Sequence, residues 1–92
     1  MAQYALIEVL GDGDEIRVIG LDSDAVVLMT RARQRAESTR DDVYRDMTRD
    51  ELADDVPDKP DVKERTYVRC GFEYVVEIEE FGMSWIVNKV EA

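Results

Sequence analysis

The sequence predicts an α+β fold: a single small domain over residues 1–92, with helices packed on one face of an antiparallel sheet of about four to five strands in the order ββ-α(α)-ββ(β). Three observations carry this. Residues 64–90 alternate apolar and polar side chains with a period of two. The first twenty residues hold two β-rich runs split by a glycine-aspartate turn. The region between carries helical spacing and helix-capping residues.

Taken in order, residues 3–10 read Gln-Tyr-Ala-Leu-Ile-Glu-Val-Leu, and their nearly continuous apolarity predicts a central strand buried on both faces. Gly11-Asp12-Gly13-Asp14 tolerates positive φ, so the chain turns there into a second strand over 15–20. Asp22, Ser23 and Asp24 then offer N-cap oxygens, and Ala25, Leu28, Met29, Ala32 and Ala36 fall on one helical face, predicting a helix over about 24–37. Its acidic start and the Arg31, Arg33 and Arg35 end both complement a helix dipole. The competing reading is a third strand over 25–30, because Val26-Val27-Leu28-Met29 fits either period.

Thr48 followed by Glu51 is a capping box, and Thr39 followed by Asp42 an imperfect one. They predict two short helices, or one kinked helix, over about 40–55. Pro57 and Pro60 close the helical region and make 56–63 a solvated connector within the domain. Val68, Cys70, Phe72, Tyr74, Val76 and Ile78 next occupy alternate positions, with Arg69, Glu73, Glu77 and Glu79 between them. Phe81-Gly82 interrupts the pattern, and Met83, Trp85, Ile86, Val87 and Val90 form the return arm of a hairpin. Gly71 leaves open whether 64–80 is one strand or two. The predicted core is Leu6, Ile7, Val9, Ile16, Val18, Leu28, Met29, Val68, Phe72, Tyr74, Val76, Ile78 and Trp85.

Composition narrows the function. The single cysteine, Cys70, has no CxxC partner and reads as a small buried hydrophobe, which favours a reducing compartment. The first residues lack a basic start and no apolar run approaches the ~20 residues of a membrane span, so a cytoplasmic protein is expected. Histidine is absent, which removes the commonest general base and transition-metal ligand. No Ser-His-Asp arrangement is possible, and no glycine-rich phosphate loop is present. Asp12-Gly13-Asp14-Glu15 and Asp22-Ser23-Asp24 carry oxygens but not the twelve-residue calcium loop, so they read as a turn and a cap. No enzyme, cofactor or metal is expected.

The formal net charge is −10. It disfavours direct contact with nucleic acid or anionic membranes and favours a basic protein surface. Residues 41–61 hold nine acids against Arg45, Arg49 and Lys59. Asp42, Asp46, Asp50, Glu51, Asp54 and Asp55 from that tract, with Glu73, Glu77 and Glu79 from the last sheet segment, are the candidate partner-binding residues. Carboxylates repeating every ~6.7 Å along a strand offer lysine and arginine much what a phosphate backbone offers. The bland reading of the same residues is a solvated face. Arg31, Arg33, Arg35 and Arg40 are expected to pair with the acidic tract, within the fold or across a dimer, rather than to contact nucleic acid.

These features favour a non-enzymatic acidic protein that binds and blocks or modulates a basic, nucleic-acid-binding protein, in the manner of a nucleic-acid mimic. In size and charge it compares with phage-encoded anti-defence inhibitors of the anti-CRISPR kind, an analogy that no motif carries. The alternative is a structural or assembly module of a larger complex or virion, its acidity serving solubility or a salty habitat. A third reading is a regulator that binds a metabolite or ion through the 12–24 turns. A homodimer is also anticipated, on the ground that Met83, Trp85 and Val87 exceed what one thin helical layer can cover.

Overall fold

The computed structural model describes residues 3–50, 58–68 and 71–90. They form a five-stranded antiparallel sheet crossed by one long helix, in the order ββαβββ. Strands β1 (Gln3–Leu10) and β2 (Glu15–Asp22) precede helix α1 (Ala25–Asp50), and β3 (Lys63–Tyr67), β4 (Glu73–Ile78) and β5 (Met83–Val90) follow it. The spatial order is β2-β1-β5-β4-β3: β1–β2, β3–β4 and β4–β5 are antiparallel neighbours in sequence, β2 and β3 form the two edges, and the two units meet where β1 pairs with β5. The expected α+β class is what the chain adopts.

Helix α1 begins where the caps predict. The Asp24 carboxylate accepts from the Val26 amide at 3.0 Å, and the Asp22 carboxylate accepts from the Asp24 amide at 2.8 Å, satisfying amides that have no intrahelical partner. Residues 25–30 are therefore helical and not a third strand. The second expectation, a break near 38–40, is replaced by 26 continuous helical residues. No glycine or proline interrupts them, and the Thr48 hydroxyl donates to the Arg45 carbonyl at 3.1 Å rather than starting a new helix. Arg31, Arg33 and Arg35 consequently lie inside the N-terminal half of the helix and not in its last turn, where the dipole account of them would apply.

Leu28, Ala32 and Ala36 are fully buried against Leu6, Tyr74, Val76, Ile78, Trp85 and Val87 of the sheet. Gly20 of β2 lets the helix come close: a Cβ there would lie 3.3 Å from Leu28 and 3.2 Å from Arg31. Tyr4 and Phe72 close one margin with their rings edge-to-face, 5.8 Å between centroids. Residues 58–62 run without regular structure into β3. Gly71, at φ 110°, lies between β3 and β4, and the 64–80 stretch is thereby two strands paired with each other. Cys70 lies outside the described residues.

Several core expectations need correction. Val68 is 75% exposed, since it follows the end of β3 instead of sitting inside a long strand. Ile16 and Val18 are 67% and 60% exposed. The cause is a bulge: Leu6 pairs with Gly20 but Ile7 pairs with Val18, leaving Ile19 unpaired. One extra residue exchanges the faces of the rest of β2, bringing Arg17 opposite Glu8 on the helix side and turning Ile16 and Val18 to the other side. Ile7, Val9, Met29 and Phe72 are half-buried. Strand β1 is internal, paired on both edges, but the helix covers only one of its faces, and the middle strand is β5.

The second face of the sheet carries no element of the described chain. Its cross-strand rows follow from the register. One runs Val18, Ile7, Ile86, Val75, Arg65; the flanking rows run Ile16, Val9, Ser84, Glu77, Lys63 and Leu21, Ala5, Asn88, Glu73, Tyr67. Trp85 and Val87, by contrast, are fully covered by the helix. The spare apolar surface therefore lies opposite to where the sequence placed it.

Candidate functional site

The acidic residues singled out by sequence fall in three places. Asp42 and Asp46 stand one turn apart on the exposed side of α1, and Asp42 accepts from Arg45 at 3.1 Å. Asp50 ends the helix. Glu51, Asp54 and Asp55 lie outside the described residues. Glu73 and Glu77 occupy the open sheet face, four residues apart with Val75 between them, and Glu77 is held by Arg65 at 3.1 Å. Glu79 belongs to a 3₁₀ turn, Glu79–Phe81, where Lys63 reaches it at 2.6 Å and holds its carboxyl below the usual range. The helical set and Glu73/Glu77 are thus not joined on one surface, because the helix and those two side chains lie on opposite sides of the sheet.

A more compact acidic arrangement surrounds the C-terminal half of α1. Tyr44, Met47, Pro60 and Phe81 form the apolar floor of an open cleft of about 480 Å³, with Asp58, Lys59, Asp61 and Glu80 at its rim. Asp41 borders it through Lys59, 2.7 Å away, and through Arg40 at 3.2 Å, and Lys59 is the chief cause of the lowered Asp41 pKa. Helix, connector and 3₁₀ turn each contribute to this site because residues 58–61 lie beside both Tyr44 and Met47 of α1 and the β4–β5 turn. Its chemistry suits a cationic side chain with an aliphatic or aromatic body, which can lay its apolar part on the floor and its charge among the rim carboxylates.

Sequence reasoning missed the most buried charge among the described residues. Glu8 is 1% exposed. Its Oε1 accepts from Trp85 Nε1 at 3.0 Å and from Arg35 Nε at 2.9 Å, and its Oε2 accepts from Arg17 Nε at 3.0 Å. Burial alone would raise the Glu8 pKa, but hydrogen bonds from Arg35, Trp85 and Arg17 outweigh it and hold the carboxyl down to about 2. Both oxygens are engaged, so the group fastens β1, β2, β5 and α1 together. The signal was present: a glutamate between Ile7 and Val9 in an otherwise apolar strand, with one indole N–H and an arginine cluster elsewhere in the chain. Arg33 makes a second link from the helix to Glu64 of β3. Of the arginines expected to pair with the acidic tract, Arg40 meets Asp41 inside it, whereas Arg33 and Arg35 pair with Glu64 and Glu8 outside it.

Among the described residues no helix is long and apolar enough to cross a membrane, and no group of three or more acids is gathered as for a metal ion. Comparisons with protein-family models, with curated proteins and with solved structures find no match.

Proposed function

We propose that the protein is a non-enzymatic, cytoplasmic interaction protein whose acidic end binds a basic surface of a nucleic-acid-binding protein and so blocks or modulates it, without itself contacting nucleic acid or membrane. The observation that supports this best is the cleft at the C-terminal half of α1. It joins an apolar floor to rim acids, with Asp42 and Asp46 on the outer side of the same helical segment. A solubilising coat needs acids alone; an anchor pocket between them adds a means of holding a partner. Rim carboxylates steer a basic partner, and the floor slows its departure.

The test is capture from host lysate at low and high salt, comparing the wild-type chain with Asp58→Asn/Asp61→Asn and with Asp42→Asn/Asp46→Asn. Expected is one dominant basic, nucleic-acid-binding protein, released as salt rises and retained poorly by both variants, most poorly by the rim pair. Equal retention by all three chains, together with thermal stability that climbs with salt, would instead favour a salt-adapted assembly module.

A further inference from the structure

We propose that the open face of the sheet is the interface of a symmetric homodimer, a site separate from the acidic cleft. Three features point to a second copy of this chain. The first is apolarity: Val18, Ile7, Ile86 and Val75 run unbroken across four strands, and Ile16 and Leu21 beside them are 67% and 59% exposed. A folded monomer rarely leaves a continuous apolar patch of more than a few hundred Å² to water.

The second feature is charge. The chain as a whole carries −10, yet the charged side chains in these three rows are Lys63 and Arg65 against Glu73 and Glu77, which cancel. Arg65 already pairs with Glu77 in the fold. A basic partner finds no net anion here, whereas an identical neutral face meets no local repulsion. The third feature is size. Strands of five to eight residues at ~3.3 Å each, set ~4.8 Å apart across five strands, give a flat footprint of roughly 500–600 Å². Side-chain relief brings the accessible area toward the ~800 Å² per partner of a stable complex. Two such sheets stack about 10 Å apart with strands inclined by about 30°, interdigitating their apolar rows as in a β-sandwich. The same patch serves both copies, as two-fold symmetry requires.

Sedimentation equilibrium of the wild-type chain at about 100 µM, in about 0.15 M and about 1 M salt, tests this. Expected is a species of twice 10.6 kDa, tighter at high salt because salt screens the repulsion between two acidic bodies, opposite to the behaviour of a basic partner at the cleft. Val18→Lys and Ile16→Lys, on an exposed edge strand, should each fold with wild-type circular dichroism and weaken the dimer at least tenfold. Val26→Lys, at a helix position that is 64% exposed, should leave it intact. A wild-type monomer at both salt concentrations overturns the proposal and assigns the face to a different occupant. A dimer that survives Ile16→Lys/Val18→Lys overturns it equally, by placing self-association on another surface.

Discussion

The two faces of the sheet are drawn from the same strands and are nearly equal in apolar content, yet they solve opposite problems. On the helix side, Leu6, Val87, Tyr74, Val76, Ile78 and Trp85 lose all or nearly all contact with water, and the one charge among them, Glu8, is held by three donors. On the other side, Ile16, Val18 and Leu21 stay exposed while Arg65 and Glu77 pair at the surface. Polarity by itself does not say which face is inside. What separates the faces is whether a second layer arrives, and α1, with small Ala32 and Ala36 on its inner stripe and Gly20 beneath it, can approach only one. The polar group belongs to the covered face because there it can be surrounded by fixed donors; on the open face a carboxylate is simply solvated.

The largest expected effect breaks the contrast from the covered side. Trp85→Ala removes the bulkiest fully buried side chain among the described residues and one of the Glu8 donors, and should cost about 4 kcal/mol in urea unfolding. Val18→Ala, on the open face, should change stability by less than about 0.5 kcal/mol at chain concentrations too low for self-association. Comparable losses for the two would mean that the open face is already covered in the monomer.

A smaller effect sharpens the role of the buried charge. Glu8→Gln keeps the shape and leaves Arg17 and Arg35 without their anion, at a cost of about 2 kcal/mol, since both arginines are half-exposed and water offsets part of the loss. The pH dependence has a definite sign. The Glu8 carboxyl is lowered from 4.5 to about 2 by folding, so the unfolded chain takes up its proton first. The stabilisation is complete above about pH 4.5 and is lost as pH falls toward about 2. Acid unfolding curves of the wild type and the Gln variant should therefore converge over that window. A constant separation between them would show that Glu8 does not titrate as its hydrogen bonds require.

The smallest effect lies outside both faces. Asp42→Asn/Asp46→Asn removes two exposed charges one turn apart and should shift stability by no more than about 0.5 kcal/mol, in the stabilising direction if self-repulsion dominates over the Arg45 contact. Thermal melts at low salt read this directly, and a large loss would assign these acids to the fold.

By itself the sequence determined the α+β class, the two hairpin units, the capped start of α1 at Asp24 and the alternation of Tyr74, Val76 and Ile78 into the core, all of which depend on contacts between near neighbours. It also held the excess of acid, though not its partition among helix, cleft and open face. Only the tertiary structure decided the rest. The bulge at Ile19 exchanged the faces of β2 because Arg17 gains Glu8 there, a pairing that sequence spacing does not display. The continuity of α1 past Thr39 was settled by competition between local caps and helix propagation, and Gly71 became the junction of two strands because β3 and β4 pair with each other. The choice of which apolar face is covered was nonlocal in the same sense: a period of two marks two faces on β1, and a single helix can cover only one.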